Sequence, residues 1–287
     1  MLFDKPEGMS SNRALQTVRR LINAEKAGHT GTLDPMATGL LPLCFGNATK
    51  YSADLLHADK GYAARVRLGV ETETGDAEGA VVRTTPVPEG LTIEDVRRAA
   101  ARFTGEIDQV PPMYSALKRD GKPLYEYARE GEVLERPARR VTIHSIDVLD
   151  FDGESFTMAC LVSKGTYIRV LAEDIGRALG TGAHLTALRR TRVGDLSLAD
   201  AVPLKTLEGL DAESARAYLA PPDRLLQTLP SVVLSEQDAV RFMHGQRLSR
   251  TTSLRGRVRV YGPEEKLLGT AVLNERAVLE PERLIAH

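Results

Sequence analysis

The segment Gly28-His29-Thr30-Gly31-Thr32-Leu33-Asp34-Pro35 offers the clearest opportunity for chemistry in the chain. Its two glycines let the backbone approach a ligand closely. Its carboxylate precedes a proline, which disfavours helix at Asp34 and holds that residue extended. No Gly-Lys-Ser/Thr follows, so the segment is not a nucleotide-binding phosphate loop. By residue type alone, an aspartate in a Gly-rich loop more often bonds its own backbone than attacks a substrate. A second segment, Ser163-Lys164-Gly165-Thr166-Tyr167-Ile168-Arg169, joins an apolar strand to a helix. The N–H groups of a helix start favour an anion. Arg169 in that first turn therefore calls for a carboxylate brought from elsewhere in the chain. A third stretch, Pro111 to Lys118, reads only as an ordered, turn-rich loop.

The elements that must hold these segments are legible in outline. Ser10-Ser11 starts a helix with Leu15, Val18 and Ile22 at helical spacing. Gly28 to Gly46, with four glycines and two prolines, reads as a loop held close to something rather than a regular element. Tyr62 to Val70 alternates as a half-buried strand, with Tyr62, Ala64, Val66 and Leu68 on the buried face. Glu71 to Gly79 is an acidic turn region, and Thr92 with Asp95 caps a helix that points Val96, Ala99 and Phe103 inward. Strands over 141–151 and 156–162 flank an Asp152-Gly153 turn. Ile168, Leu171, Ile175 and Leu179 form a helical stripe ended by Gly180. Strands and helices alternate irregularly, which predicts a mixed α+β core rather than a doubly wound sheet. The proline-rich stretch from Ala220 to Pro230 is the boundary candidate. Beyond it, Ser235 and Asp238 predict a capping box, followed by strands near 257–261 and 267–273.

Composition is ordinary for a globular protein: 287 residues, 42% hydrophobic and 27% charged. Cys44 and Cys160 stand far apart in apolar runs with no His-rich partner, so they are expected to be buried free thiols in a reducing compartment rather than zinc ligands. The first residues lack the pattern of a signal peptide, and no apolar run reaches membrane-spanning length. The expected location is the cytoplasm, with no membrane association. The net charge of −1 does not announce a nucleic-acid binder. Three basic clusters nevertheless make a polyanion partner plausible: Arg247 to Arg259, Arg136 with Arg139 and Arg140, and Arg189 with Arg190 and Arg192.

Several motifs together resemble the bacterial tRNA pseudouridine-55 synthase (TruB) family. They are Asp4-Lys5-Pro6-x-Gly8-Met9-Ser10-Ser11, the Gly28 segment continuing through Ala37-Thr38-Gly39-Leu40-Leu41-Pro42, and Lys60-x-Tyr62. Pro111 to Lys118, Ser163 to Arg169 and Leu188-Arg189-Arg190 complete the set. They occur in the family's order over most of residues 1 to about 225. The tail resembles, more weakly, a PUA-type RNA-binding domain.

The resemblance implies a mixed, largely antiparallel sheet core over residues 1–228 and a small β-rich PUA-like domain over 229–287. It implies isomerisation of a T-loop uridine, position 55 of tRNA, with Asp34 as nucleophile and Arg169 as its charge partner. His29, Tyr62, Tyr167 and Leu188 match positions lining the uracil pocket, with Tyr62 also placed among the catalytic groups. The reaction has no net redox change, so no cofactor and no metal are expected. A monomer acting on the tRNA T-arm without an obligatory protein partner is expected. The target base must leave its stack to reach Asp34, and Tyr62 can offer it an aromatic face. Closing a pocket over a carboxylate costs desolvation, which an arginine neighbour offsets. Competing readings are an RNA-folding protein without catalysis, a guide-RNA-directed relative, and a carboxylate hydrolase. The hydrolase would need a second acid near Asp34 that the matched motifs do not supply.

Overall fold

The structure, a computed structural model, describes residues 1–285. Strand β1 (Leu2–Lys5) leads into helix α1 (Ser11–Leu21), whose Ser10 cap accepts the Arg13 N–H at 3.2 Å. Ala14, Leu15 and Val18 form the buried stripe of α1. Strands β2 (Ala27–His29), β3 (Thr38–Phe45) and β4 (Lys60–Leu68) follow, then the hairpin β5 (Val70–Thr72) and β6 (Val81–Thr84). Helix α2 (Ile93–Ala101) opens with the full capping box expected at Thr92 and Asp95. After β7 (Gly105–Gln109) come the two-residue strands β8 (Lys118–Arg119) and β9 (Lys122–Pro123), then α3 (Leu124–Arg129). The long antiparallel pair β10 (Arg139–Phe151) and β11 (Ser155–Val162) precedes α4 (Ile168–Ala178) and β12 (Ala183–Val193). Short elements finish this part: β13 (Leu196–Ser197), β14 (Val202–Pro203), α5 (Leu204–Glu208) and α6 (Ala212–Arg216).

These strands form one mixed sheet in the order β14-β1-β3-β12-β4-β11-β10-β7, with β2 and β13 as side branches. Only β1 with β14 and β3 with β12 pair in parallel within it. The mixed α+β architecture is as expected. Residues Leu40 and Leu41 belong to different apolar clusters, because neighbours along a strand face opposite sides. Helices α2 and α4 pack together, α2 on β10 and α4 on β12 and β4, and the main core lies between them and the sheet.

Two local expectations require correction. Gly28 to Gly46 is not a continuous loop, because Thr38–Phe45 is a strand inside the sheet. Its apolar run Leu40-Leu41-Pro42-Leu43-Cys44 is buried throughout. Gly39 is where the chain passes tightest: a Cβ there would lie 2.3 Å from the Arg190 carbonyl oxygen, and its φ is +99°. The strand expected over Tyr62 to Val70 starts two residues earlier and stops at Leu68, since Gly69 takes φ +81°.

The C-terminal part is a five-stranded curled sheet, β15 (Ser231–Val233), β17 (Gly256–Tyr261), β18 (Leu267–Leu273), β19 (Val278–Leu284) and β16 (Leu248–Ser249), in that spatial order. Helix α7 (Glu236–Met243) covers it, and Phe242, Val258, Val260 and Leu279 lie in its separate core. Only half of the expected capping box forms. Ser235 accepts the Asp238 N–H, but the Asp238 carboxylate turns to Arg241 and Arg250. A 3₁₀ segment, Gly46–Leu55, joins the two sheets. Its Tyr51 is fully buried against Leu226 and Ile285, and its Asp54 pairs with Arg257. Among the described residues no helix is long and apolar enough to cross a membrane.

Candidate active site

Asp34 lies in the irregular turn between β2 and β3, and four separate contacts fix that turn. Ser11, buried at the start of α1, clamps Leu33: its hydroxyl donates to the Leu33 carbonyl at 3.0 Å and accepts the Leu33 N–H at 2.8 Å. Ala37 N–H donates to the Asp34 carbonyl at 3.1 Å. Gly8 N–H donates to the Pro35 carbonyl at 2.9 Å. Lys5, wholly buried, donates from Nζ to the carbonyls of Pro6, Met9 and Pro35. Burial pushes the Lys5 ammonium down to about 8, while the charge of Asp34 pulls the other way. The motif Asp4 to Ser11 thus acts as a cradle for the aspartate.

The Asp34 carboxylate meets Arg169, with Nη2 3.0 Å from Oδ2. Arg169 stands in the first turn of α4 and is 4% exposed. It also donates to the carbonyls of Thr74 and Tyr114, each at 2.7 Å. The guanidinium has a second acidic neighbour, Asp76, whose Oδ2 is 3.6 Å from Nε. That separation is electrostatic contact rather than a hydrogen bond. Asp76 is 3% exposed and takes the hydroxyl of Thr74 and the N–H of Glu78. Two carboxylates and two carbonyls therefore compensate one buried cation at a helix start, where a cation alone would oppose the helix dipole.

Sequence reasoning missed Asp76, because Glu71, Glu73, Asp76 and Glu78 read together as a solvated acidic turn. The usable signal was Thr72-x-Thr74-x-Asp76, small hydroxyl residues able to hold a carboxylate within its own hairpin. The second carboxylate near Asp34, absent from the matched motifs, is present in the fold. It serves Arg169, and its neighbour Glu78 is raised by burial and by the charges of Asp76 and Asp34.

On one side of Asp34 a cavity of about 240 Å³ is lined by Thr30, Tyr62, Ser115, Tyr167, Leu188 and Arg190, among others. This is below the range of about 300–1,000 Å³ common for drug-sized ligands and suits a single planar base. Tyr62 comes from β4 and Leu188 from β12, neighbours in the sheet. Tyr167 caps α4 and is fixed by Gln109, which accepts the Tyr167 N–H at 2.8 Å and donates to its carbonyl at 3.2 Å. Burial raises both phenols above their ordinary value, opposed by Arg190 at Tyr62 and by Ser115 and Arg169 at Tyr167.

His29 is not on this wall. It lines a larger adjoining cavity of about 690 Å³ on the other side of Asp34, with Ser10, Glu78, Tyr125 and Arg129, and its Nδ1 accepts the Gly31 N–H at 3.4 Å. Burial and the nearby Arg190 hold its imidazole below the usual value. Among the expected site residues, Asp34, Arg169, Tyr62, Tyr167 and Leu188 therefore converge, and His29 stands beside them.

The basic clusters look different in the fold. Arg140 pairs with Glu106 and Asp108, Arg189 with Asp4, Arg192 with Asp195, Arg250 with Asp238, and Arg257 with Asp54 and Glu282. Arg190, counted in the sequence as surface charge, is 1% exposed. Cys44 and Cys160 are buried free thiols, as expected, pushed by burial up to about 11 and about 12.

Comparison with known proteins bears on this geometry. Residues 19–168 match the model for the TruB family pseudouridylate synthase N-terminal domain. Residues 169–227 match the tRNA pseudouridylate synthase B C-terminal domain, and residues 230–285 match Pseudouridine synthase II TruB, C-terminal. The chain is 59% identical to the tRNA pseudouridine synthase B of Ralstonia nicotianae, over 99% of this chain and 93% of that protein. It is 56% identical to that of Aromatoleum aromaticum, over 100% and 92%. Among solved structures, a Cbf5-Nop10-Gar1 complex superposes with a TM-score of 0.74 at 27% identity, covering 99% of this chain and 84% of the other. A mixed-sheet core, a curled C-terminal sheet and full-length similarity to these relatives give one answer: the chain belongs to the TruB family of pseudouridylate synthases.

Proposed function

We propose that the protein converts a tRNA uridine, the one at position 55 in the T-loop, to pseudouridine, with Asp34 as nucleophile. The observation that carries this reading is the Asp34–Arg169 ion pair at the edge of a base-sized cavity walled by Tyr62, Tyr167 and Leu188. The names of the relatives supply the tRNA substrate, since they are tRNA pseudouridine synthases. The uridine leaves its stack and enters the cavity. Arg169 aims the carboxylate and offsets its desolvation, and attack by Asp34 divides a difficult exchange of bonds into two easier steps. The N1–C1′ bond breaks, the uracil turns, and C5 joins C1′; no oxidant or energy source enters. The T-arm is held by its shape and phosphates. Residues 229–287 are assigned as a PUA-like RNA-binding domain and 1–228 as the catalytic domain, working as a monomer. The test is carbodiimide mapping of unmodified tRNA, and of an isolated T-arm stem-loop, after incubation with the pure protein. The expected product is one pseudouridine, at position 55 of both substrates. Unmodified RNA, or a product elsewhere, would overturn the reading.

Tyr62 presents both a ring and a hydroxyl to this cavity. Tyr62→Phe keeps the ring, so RNA binding is expected to stay near the parent value. Single-turnover rate is expected to fall by about 10²-fold or more, the usual scale for proton transfer by a placed side chain. A parental rate would reduce Tyr62 to a stacking platform.

A further inference from the structure

Arg190 is among the largest fully buried side chains of the protein, yet among the described residues its hydrogen bonds run to backbone carbonyls and to no carboxylate. Nε donates to the Leu40 carbonyl at 2.7 Å and Nη2 to the Gly31 carbonyl at 3.1 Å, with Nη1 3.5 Å from the Thr32 carbonyl. Tyr62 is its direct cross-strand partner between β12 and β4, and both residues line the base cavity. A buried cation is costly unless its donors are satisfied. Here the fold satisfies it with carbonyls of β3 and of the turn that carries Asp34, and sets it across from a phenol on the neighbouring strand. Leu188, two residues earlier on β12, lines the same cavity, so Arg190 belongs to the pocket wall rather than to the distant packing.

Resting on the reaction proposed above, we infer that Arg190 is the positioning residue for Tyr62, stabilising the phenolate that this tyrosine must transiently become. The proton balance of the isomerisation shows why one is needed. Uridine to pseudouridine removes one proton from C5 and places one on N1. The Tyr62 hydroxyl gives its proton to N1 as the N1–C1′ bond breaks, leaving a phenolate. A half-turn of the ring then brings C5 to the place N1 left. Once the C5–C1′ bond has formed and the Asp34 carboxylate has left as its own bond to the nucleotide breaks, the C5–H electron pair restores the C5=C6 double bond and the phenolate takes the proton. The enzyme returns to its starting state with no other acid or base consumed. Burial alone makes a phenolate at this position unfavourable, and the positive charge of Arg190 opposes that cost at Tyr62. The cation that fixes the Gly31-Thr32 turn thus also sets the proton affinity of the group facing it.

The test uses the full chain, a T-arm stem-loop RNA carrying 5-deuterated uridine, and single-turnover rates on bound RNA. Arg190→Lys is expected to slow the step by about 10²-fold with little change in RNA affinity, and to raise the C5-deuterium isotope effect. In a Tyr62→Phe background the same substitution is expected to cost less than about threefold more, since a residue acting through Tyr62 has nothing left to act on. A parental rate for Arg190→Lys, or an undiminished loss on top of Tyr62→Phe, would sink the inference. If Tyr62→Phe is itself as fast as the parent, the role given to Tyr62 in the proposed function fails, and this inference with it. If Tyr62→Phe is slow and Arg190→Lys is not, only this inference fails. Should Arg190→Lys not fold, the parent protein still decides: the parent-minus-Tyr62→Phe ultraviolet Raman spectrum reads the hydrogen-bond state of the phenol oxygen. A doublet typical of an acceptor supports the contact, and one typical of a pure donor refutes it.

Discussion

Asp34→Asn is expected to bind tRNA with an affinity within a few-fold of the parent protein and to form no detectable pseudouridine. The rate loss should reach about 10⁴-fold or more, the scale seen when a nucleophile or its essential partner is removed. The argument rests on what stays behind. The amide is nearly isosteric with the carboxylate, and the turn around it is held by Ser11, Lys5 and Gly8 through backbone atoms the substitution does not touch. Arg169 retains Asp76 and the carbonyls of Thr74 and Tyr114, so no buried cation is left bare. What is lost is the nucleophile and one of the two negative charges facing Arg169. Residual turnover above about one part in a hundred would show that another group attacks the nucleotide.

Arg169→Met is the second large effect, and it should appear in two measurements. Activity is expected to fall by about 10²- to 10³-fold, in the range lost with one preorganised electrostatic partner. Stability should fall as well, by about 3–5 kcal/mol, because Asp76 becomes a buried carboxylate without its cation. The discriminating experiment adds Asp76→Asn to the same chain. Urea denaturation of the double variant should recover most of the lost stability, as the uncompensated charge has gone, while single-turnover rate stays low. If stability does not return, Asp76 is not the group that Arg169 neutralises. Arg169→Lys should stand between: a point charge on a flexible stem cannot reach two carboxylates and two carbonyls together.

What the sequence showed of this arrangement depended on how local each signal was. The capping residues Ser10 and Thr92, the alternation in Tyr62 to Leu68 and the stripe Ile168, Leu171 and Ile175 are short-range patterns, and each marks its element. The demand of Arg169 for a remote acid was also visible, because a cation in a first helical turn is an anomaly that something must resolve. Its meeting with Asp34 came only through the family motifs. Strand β3 was hidden by its own punctuation, since Gly39 and Pro42 are turn residues by type. Here Gly39 makes room for the Arg190 backbone, and the Pro42 carbonyl still accepts the Thr30 N–H. Asp76 and Arg190 were misread for one reason. A charged residue among other charged residues looks solvated, and nothing local reveals that the chain folds over it.

The helix Gly46–Leu55 has one further consequence, for unfolding. Separating the C-terminal sheet from the core would uncover Tyr51, break the Lys50 Nζ bond to the Leu284 carbonyl at 2.6 Å, and leave Asp54 without Arg257. Each loss falls on a segment that continues into the pocket, where Lys60 Nζ holds the carbonyls of Leu55, Leu56 and Ala58. Neither part can loosen without exposing the other. Heating is therefore expected to give a single calorimetric transition, with van't Hoff and calorimetric enthalpies in agreement, rather than a small early melt of the tail. Two resolved transitions would show that the two cores are thermodynamically independent. A chain with two hydrophobic cores would, by this connection, behave as one cooperative unit.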